Sequence, residues 1–230
     1  MRGGLACLSR AGKVCGEQKV FDEEHHRFIA GIDSQSYAPY VRCPVLLLSA
    51  VNDKKHDYDR VYDTFQQINP EVQKAFLYSS HGNGLIGMHS LADVDLFLDK
   101  YLKERSVFLS GPIGLSVEED AEGNLVARAT FDAEGELHEC GIFYTERITG
   151  SHARDWTRVM GNPASVRESV GTFPLELYEK SSRALVYAFA NYSNNFSVTS
   201  KIQEVVVRKP YKNMCVKSRI VYSSERDSLN

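Results

Sequence analysis

The residues with the clearest capacity for chemistry are Asp53 and His81. Each stands in a polar loop just after a short apolar run, residues 43–50 (Cys-Pro-Val-Leu-Leu-Leu-Ser-Ala) for the aspartate and residues 75–78 (Ala-Phe-Leu-Tyr) for the histidine. If both runs are parallel strands, the loops beyond their carboxyl ends are where open α/β sheets bind ligands. Adjacent strands lie about 4.8 Å apart, so the two side chains could meet. A carboxylate that orients a histidine fixes its tautomer and stabilises its imidazolium, which is how a serine or cysteine nucleophile is activated. The nucleophile itself is missing, because no G-x-S-x-G occurs in the chain.

Other groupings carry less. His89 competes with His81 as a base, but its place at the start of a helical pattern suits capping or packing better. His56 with Asp53, Asp57 and Asp59 lacks the ligand order that hard-cation loops require. His25 and His26 beside Glu23 and Glu24 read as a solvated charged stretch. The five cysteines, Cys7, Cys15, Cys43, Cys140 and Cys215, are odd in number and show no C-x-x-C spacing, so no zinc site is expected. No metal and no organic cofactor is implied. Tyr144, Trp156, Tyr187, Phe189, Tyr192 and Phe196 could form a sugar-stacking face, although rings at such spacing more often fill a sandwich core.

The elements that must position Asp53 and His81 follow from periodicity. Residues 43–50 run apolar without alternation, as a strand buried on both faces does. Val61, Phe65 and Ile68 recur at helical spacing until Asn69-Pro70 stops the helix. After the strand at 75–78, Leu91, Val94, Leu98 and Leu102 mark a long amphipathic helix. Strand, helix, strand, helix predicts a right-handed parallel crossover. Beyond Gly111-Pro112 the texture changes to short strands at 125–131, 141–145, 156–160, 184–190 and 202–208, separated by Gly, Asn and Asp turns. That pattern predicts an antiparallel sandwich. The expected fold class is therefore α/β plus all-β, with 1–105 a partial α/β unit, 106–210 a sandwich, and 211–230 a tail or the start of a further element.

Residues 36–53, then a helix, then Phe76-Leu77-Tyr78-Ser79-Ser80-His81 resemble the C-terminal third of an α/β-hydrolase, in the branch of acetylxylan esterases, dienelactone hydrolases and prolyl-oligopeptidase-like enzymes. The resemblance implies Asp53 as triad acid and His81 as triad base. Met1-Arg2-Gly3-Gly4 resembles the tail of a nucleophile elbow, with Met1 where the serine belongs. The chain would then be an N-terminally truncated serine hydrolase for ester or peptide bonds, inactive alone, with an appended immunoglobulin-like sandwich. Its substrate would be a small-molecule or carbohydrate ester.

Composition bounds the alternatives. With 230 residues, 25% charged and 43% hydrophobic, the chain is globular rather than disordered. A net charge of -3 gives no reason to expect nucleic acid, and no apolar run nears the roughly 20 residues that cross a bilayer. No signal peptide is visible, and the compartment is left open. The rival function is a non-enzymatic interaction protein whose sandwich contacts a partner or glycan. Self-association through an exposed partial sheet is a further expectation.

Overall fold

A computed structural model describes residues 27, 30, 31, 34–51, 58–79, 88–146, 154–166, 168–177 and 183–206. A single helical turn, α1 (Ser34–Tyr37), runs into a 3-10 turn, Ala38–Tyr40. Then follow β1 (Val45–Ala50), α2 (Tyr58–Gln66), β2 (Gln73–Ser79) and α3 (Met88–Tyr101). β1 and β2 pair in parallel, with Leu47 opposite Phe76 and Leu48 opposite Leu77. Asn69-Pro70 does stop α2: the Asn69 side chain accepts the Glu71 N–H at 3.0 Å and turns the chain toward β2.

The other eight strands among the described residues pair antiparallel. β3 (Gly114–Glu119), β4 (Leu125–Thr130) and β7 (Val170–Pro174) form a three-stranded sheet in the order β3-β4-β7. β5 (Leu137–Thr145), β6 (Thr157–Gly161), β8 (Arg183–Tyr192) and β10 (Gln203–Val206) run in the order β10-β8-β5-β6, with short β9 (Ser197–Thr199) also on β8. The β3–β4 turn is set by Asp120, whose carboxylate accepts the backbone N–H groups of Glu122 and Asn124. Gly123 takes φ 83° there, a conformation only glycine adopts freely.

Two apolar clusters share the larger sheet. Between the sheets lie Ala127, Ala129, Phe131 and Phe173 from one side and Ile142, Val186, Ala188, Ala190 and Tyr192 from the other. The opposite face of the larger sheet presents Leu185 and Tyr187, which pack with Ala38, Val51, Tyr62, Phe65, Ile68 and Ile202. β8 is thus buried on both faces: its alternation is of small against large residues, not of apolar against polar. The described residues Ala38, Val51, Tyr62, Phe65 and Ile68 are seated on the larger sheet through this second cluster.

These observations correct the expected fold class. The structure is mostly antiparallel β rather than α/β plus all-β, and among the described residues β1 and β2 make the only parallel ladder, beside one isolated parallel bridge between Ile113 and Ser200. Every residue of β1 is only half-buried, whereas an inner strand of a hydrolase-type parallel sheet would be covered on both faces. An apolar run announces burial of some kind but does not count the strands beside it. The resemblance to an α/β-hydrolase falls with that sheet, since the many-stranded parallel sheet it implies is absent among the described residues.

The orientation of α3 also departs from its pattern. Leu91, Leu98 and Leu102 are 54%, 38% and 74% exposed, while Asp93 is 0% exposed. The helix turns the face carrying Asp93 and Leu96 inward; Leu96 packs against the cluster between the sheets.

Candidate binding site

Asp53 and His81 lie outside the described residues, as do His25, His26, His56 and Asp57. His89 and Asp59 are in helices, but their side chains are outside what is described. The hydrolase, esterase and catalytic-triad expectation is withdrawn on the fold: two parallel strands do not make the sheet whose carboxyl edge such a triad requires. Among the described residues, no three His, Cys, Asp or Glu side chains gather where a metal ion could sit.

Of the six aromatic residues that could have formed a sugar-stacking face, five are core and Trp156 is half-buried. Tyr144, Tyr187, Phe189, Tyr192 and Phe196 are all at most 6% exposed. Tyr187 stacks on Phe143 at 5.2 Å and meets the edge of Trp156 at 5.0 Å. The Arg158 guanidinium covers Phe189 at 4.7 Å and is paired with Glu139 at 2.9 Å. The five buried rings leave no open stacking face for a sugar. Burial pushes the Tyr187 phenol and the Cys140 thiol up, with Glu139 adding to the effect on Cys140, so neither is an acid or nucleophile near neutrality.

A concavity lies instead at one end of the paired sheets, where three connections meet. The β4–β5 connection supplies Asp132, Ala133, Gly135 and Glu136, and the start of β5 supplies Leu137 and His138. It is shaped locally by Asp132, whose Oδ1 accepts the Glu134 N–H at 3.0 Å. It is tied down by Tyr192, whose hydroxyl accepts the Asp132 N–H at 3.2 Å and donates to Ser110 Oγ at 3.1 Å. Gly135 is required here, because a Cβ would strike the rings of Phe108 and Tyr192.

The β6–β7 connection forms the second wall with Asn162, Pro163, Ala164, Val166 and Ser169. Asn162 Oδ1 accepts the Ala164 N–H at 3.0 Å and starts the 3-10 turn Pro163–Ser165. Glu168 and Ser169 hold φ of 50° and 65°, left-handed values costly for residues other than glycine. The Phe131 N–H holds the Ser169 carbonyl at 2.8 Å. The third wall is Ser193, whose N–H and hydroxyl donate to the Glu136 carbonyl at 2.9 and 3.2 Å.

The depression measures about 590 Å³ and is open along most of its rim. Its lining carries the carboxylates of Asp132 and Glu136 and no lysine or arginine among the described lining residues. Enclosed, largely apolar cavities are what small organic ligands and cofactors occupy, and this one is neither. It fits a surface that contributes its own volume.

Removal of the Tyr192 hydroxyl tests the wall. Tyr192→Phe leaves the Asp132 N–H and the buried Ser110 without that partner, and is expected to cost about 1–2 kcal/mol of stability, read as a lowered urea midpoint with unchanged slope.

No known protein family matches the chain, and no curated protein matches it. Among solved structures, a crystal structure of pectate lyase PelI from Erwinia chrysanthemi in complex with tetragalacturonic acid is similar over 40% of this chain and 27% of that one, at 8% identity and a TM-score of 0.26. The matched part is therefore about a quarter of the lyase's length. A likeness that low carries no inference about fold or activity.

Proposed function

We propose that the chain is a non-enzymatic interaction protein and that the depression at the loop end of its antiparallel sheets receives a protein partner. The partner is a polypeptide segment that carries positive charge and is rich in hydrogen-bond donors. The observation that carries this reading is the lining itself: Asp132 and Glu136, with Ser169 and Ser193 beside them, no lysine or arginine among the described lining residues, and an open mouth. The strained Glu168-Ser169 turn supports it, because non-glycine residues held at positive φ recur where loops clamp ligands. A glycan partner is less favoured, since five of the six rings that would stack on sugar are buried and Trp156 is half-buried against Tyr187.

Binding of short peptides of opposite charge sign, measured by calorimetry, tests the reading. A lysine-containing peptide is expected to bind and an isosteric glutamate-containing one not to. Asp132→Asn with Glu136→Gln is expected to weaken binding by roughly tenfold at low salt, with the difference shrinking as ionic strength rises. Equal binding of both peptides, or tighter binding of an oligosaccharide, would contradict it.

A further inference from the structure

Among the described residues, Asp93 is the one carboxyl group that the binding reading does not use and that the fold buries completely, at 0% exposure. It projects from α3, and its Oδ1 accepts the Ser197 N–H of β9 at 2.6 Å, joining segments 104 residues apart. Its Oδ2 is buried with no hydrogen-bond partner in the structure. α3 packs against β1 and β9, so this single contact sits where the helix meets the sheets. We infer that Asp93 is a proton-controlled latch: protonated, it seats α3 on β9, and ionised, it loosens that junction.

The charges around it make the assignment specific. β9 (Ser-Val-Thr) and β1 (Val-Leu-Leu-Leu-Ser-Ala) present no titratable side chain. On α3 itself, Asp95 is exposed, Asp99 is held by Lys103 and Arg105 at 2.6 and 2.7 Å, and Lys100 lies by the Tyr101 ring. His89 stands one turn before Asp93 in the sequence of the helix. A second oxygen with no donor and complete burial disfavour the carboxylate. Burial raises Asp93 to about 7, outweighing the Ser197 N–H, which pulls the other way.

The sign follows from linkage. An unfolded aspartate loses its proton near about pH 3.9, whereas folded Asp93 keeps it until about 7. Between those values the folded state binds the extra proton, so this contribution to stability falls as pH rises and levels off above the folded value.

The test compares wild type with Asp93→Asn, which keeps an acceptor for Ser197 but cannot titrate. The melting temperature of wild type minus that of the variant is expected to drop by roughly 4 °C or more from about pH 5 to about pH 8 and then stay level. A difference that is flat across that range overturns the latch. If the variant does not fold, the carbon-13 carboxyl resonance of Asp93 in the wild type is read directly, together with hydrogen-exchange protection of the Ser197 amide. A midpoint above about pH 6 with protection lost as the group ionises supports the latch. A midpoint below about pH 5, or protection unchanged through the titration, overturns it.

Discussion

Replacing Gly141 by valine is expected to cost the fold about 3 kcal/mol or more and to lower the yield of folded protein. Gly141 lies inside β5, opposite Met160 of β6 and Phe189 of β8. A Cβ built there would press into the Val159 carbonyl oxygen and the Phe189 ring, closer than real Cβ contacts come. The ring could turn, but Phe189 is 6% exposed and lies under Arg158, and the carbonyl belongs to the neighbouring strand's backbone. Relief would mean parting β5 from β6. Overpacking ordinarily costs about 1–3 kcal/mol, and a clash with backbone belongs at or above the top of that range, a large share of a domain's total of about 5–15 kcal/mol. The check is the yield of folded protein by circular dichroism and gel filtration. Gly111→Val is the control, because a Cβ at Gly111 meets nothing within 4 Å, and it should fold normally.

Tyr187→Ala is expected to cost about 3–5 kcal/mol, the range for removing a large buried ring. Tyr187 is 1% exposed and belongs to the cluster that joins Ala38, Val51, Phe65 and Ile68 to the larger sheet. Its loss therefore opens the seat of those residues, while the cluster between the two sheets keeps its own. Trp156, the single tryptophan, touches the Tyr187 ring and reports on the event. The variant should show a red-shifted emission before unfolding and a lower urea midpoint. An unchanged emission and midpoint would mean that the second cluster contributes little.

The sequence pattern made some of this legible. The helix stop at Asn69-Pro70 and the strands around residues 125–131 and 184–190 follow from backbone chemistry and alternation, which act locally. The inner face of α3 did not follow. Leu91, Leu98 and Leu102 form a helical stripe that reads as core, yet the structure leaves them exposed and buries Asp93. Hydrophobic periodicity ranks faces by transfer energy, and it cannot show that tertiary packing on β9 supplies a backbone N–H to a carboxyl group. The parallel sheet was over-read for a related reason: a strand after Pro44 and a second at 75–78 exist and do pair, but nothing local says whether more strands flank them.

The binding depression was equally hidden, because its walls come from residues 132–133, 135–138, 162–164, 166, 169 and 193, which only the sheet topology brings together. Each segment alone reads as an ordinary turn. A signal was present in the acidic β4–β5 connection, Asp132-Ala133-Glu134-Gly135-Glu136, but charge in a loop is the usual solvated case.

The central claim is where a partner binds, and amide chemical-shift mapping during titration with a lysine-containing peptide tests it most directly. The account predicts shifts concentrated in residues 132–138, 162–166, 168–169 and 193, and lost in the Asp132→Asn, Glu136→Gln double variant. Shifts centred on α3 or β1, or binding that leaves the loop end unperturbed, would contradict it.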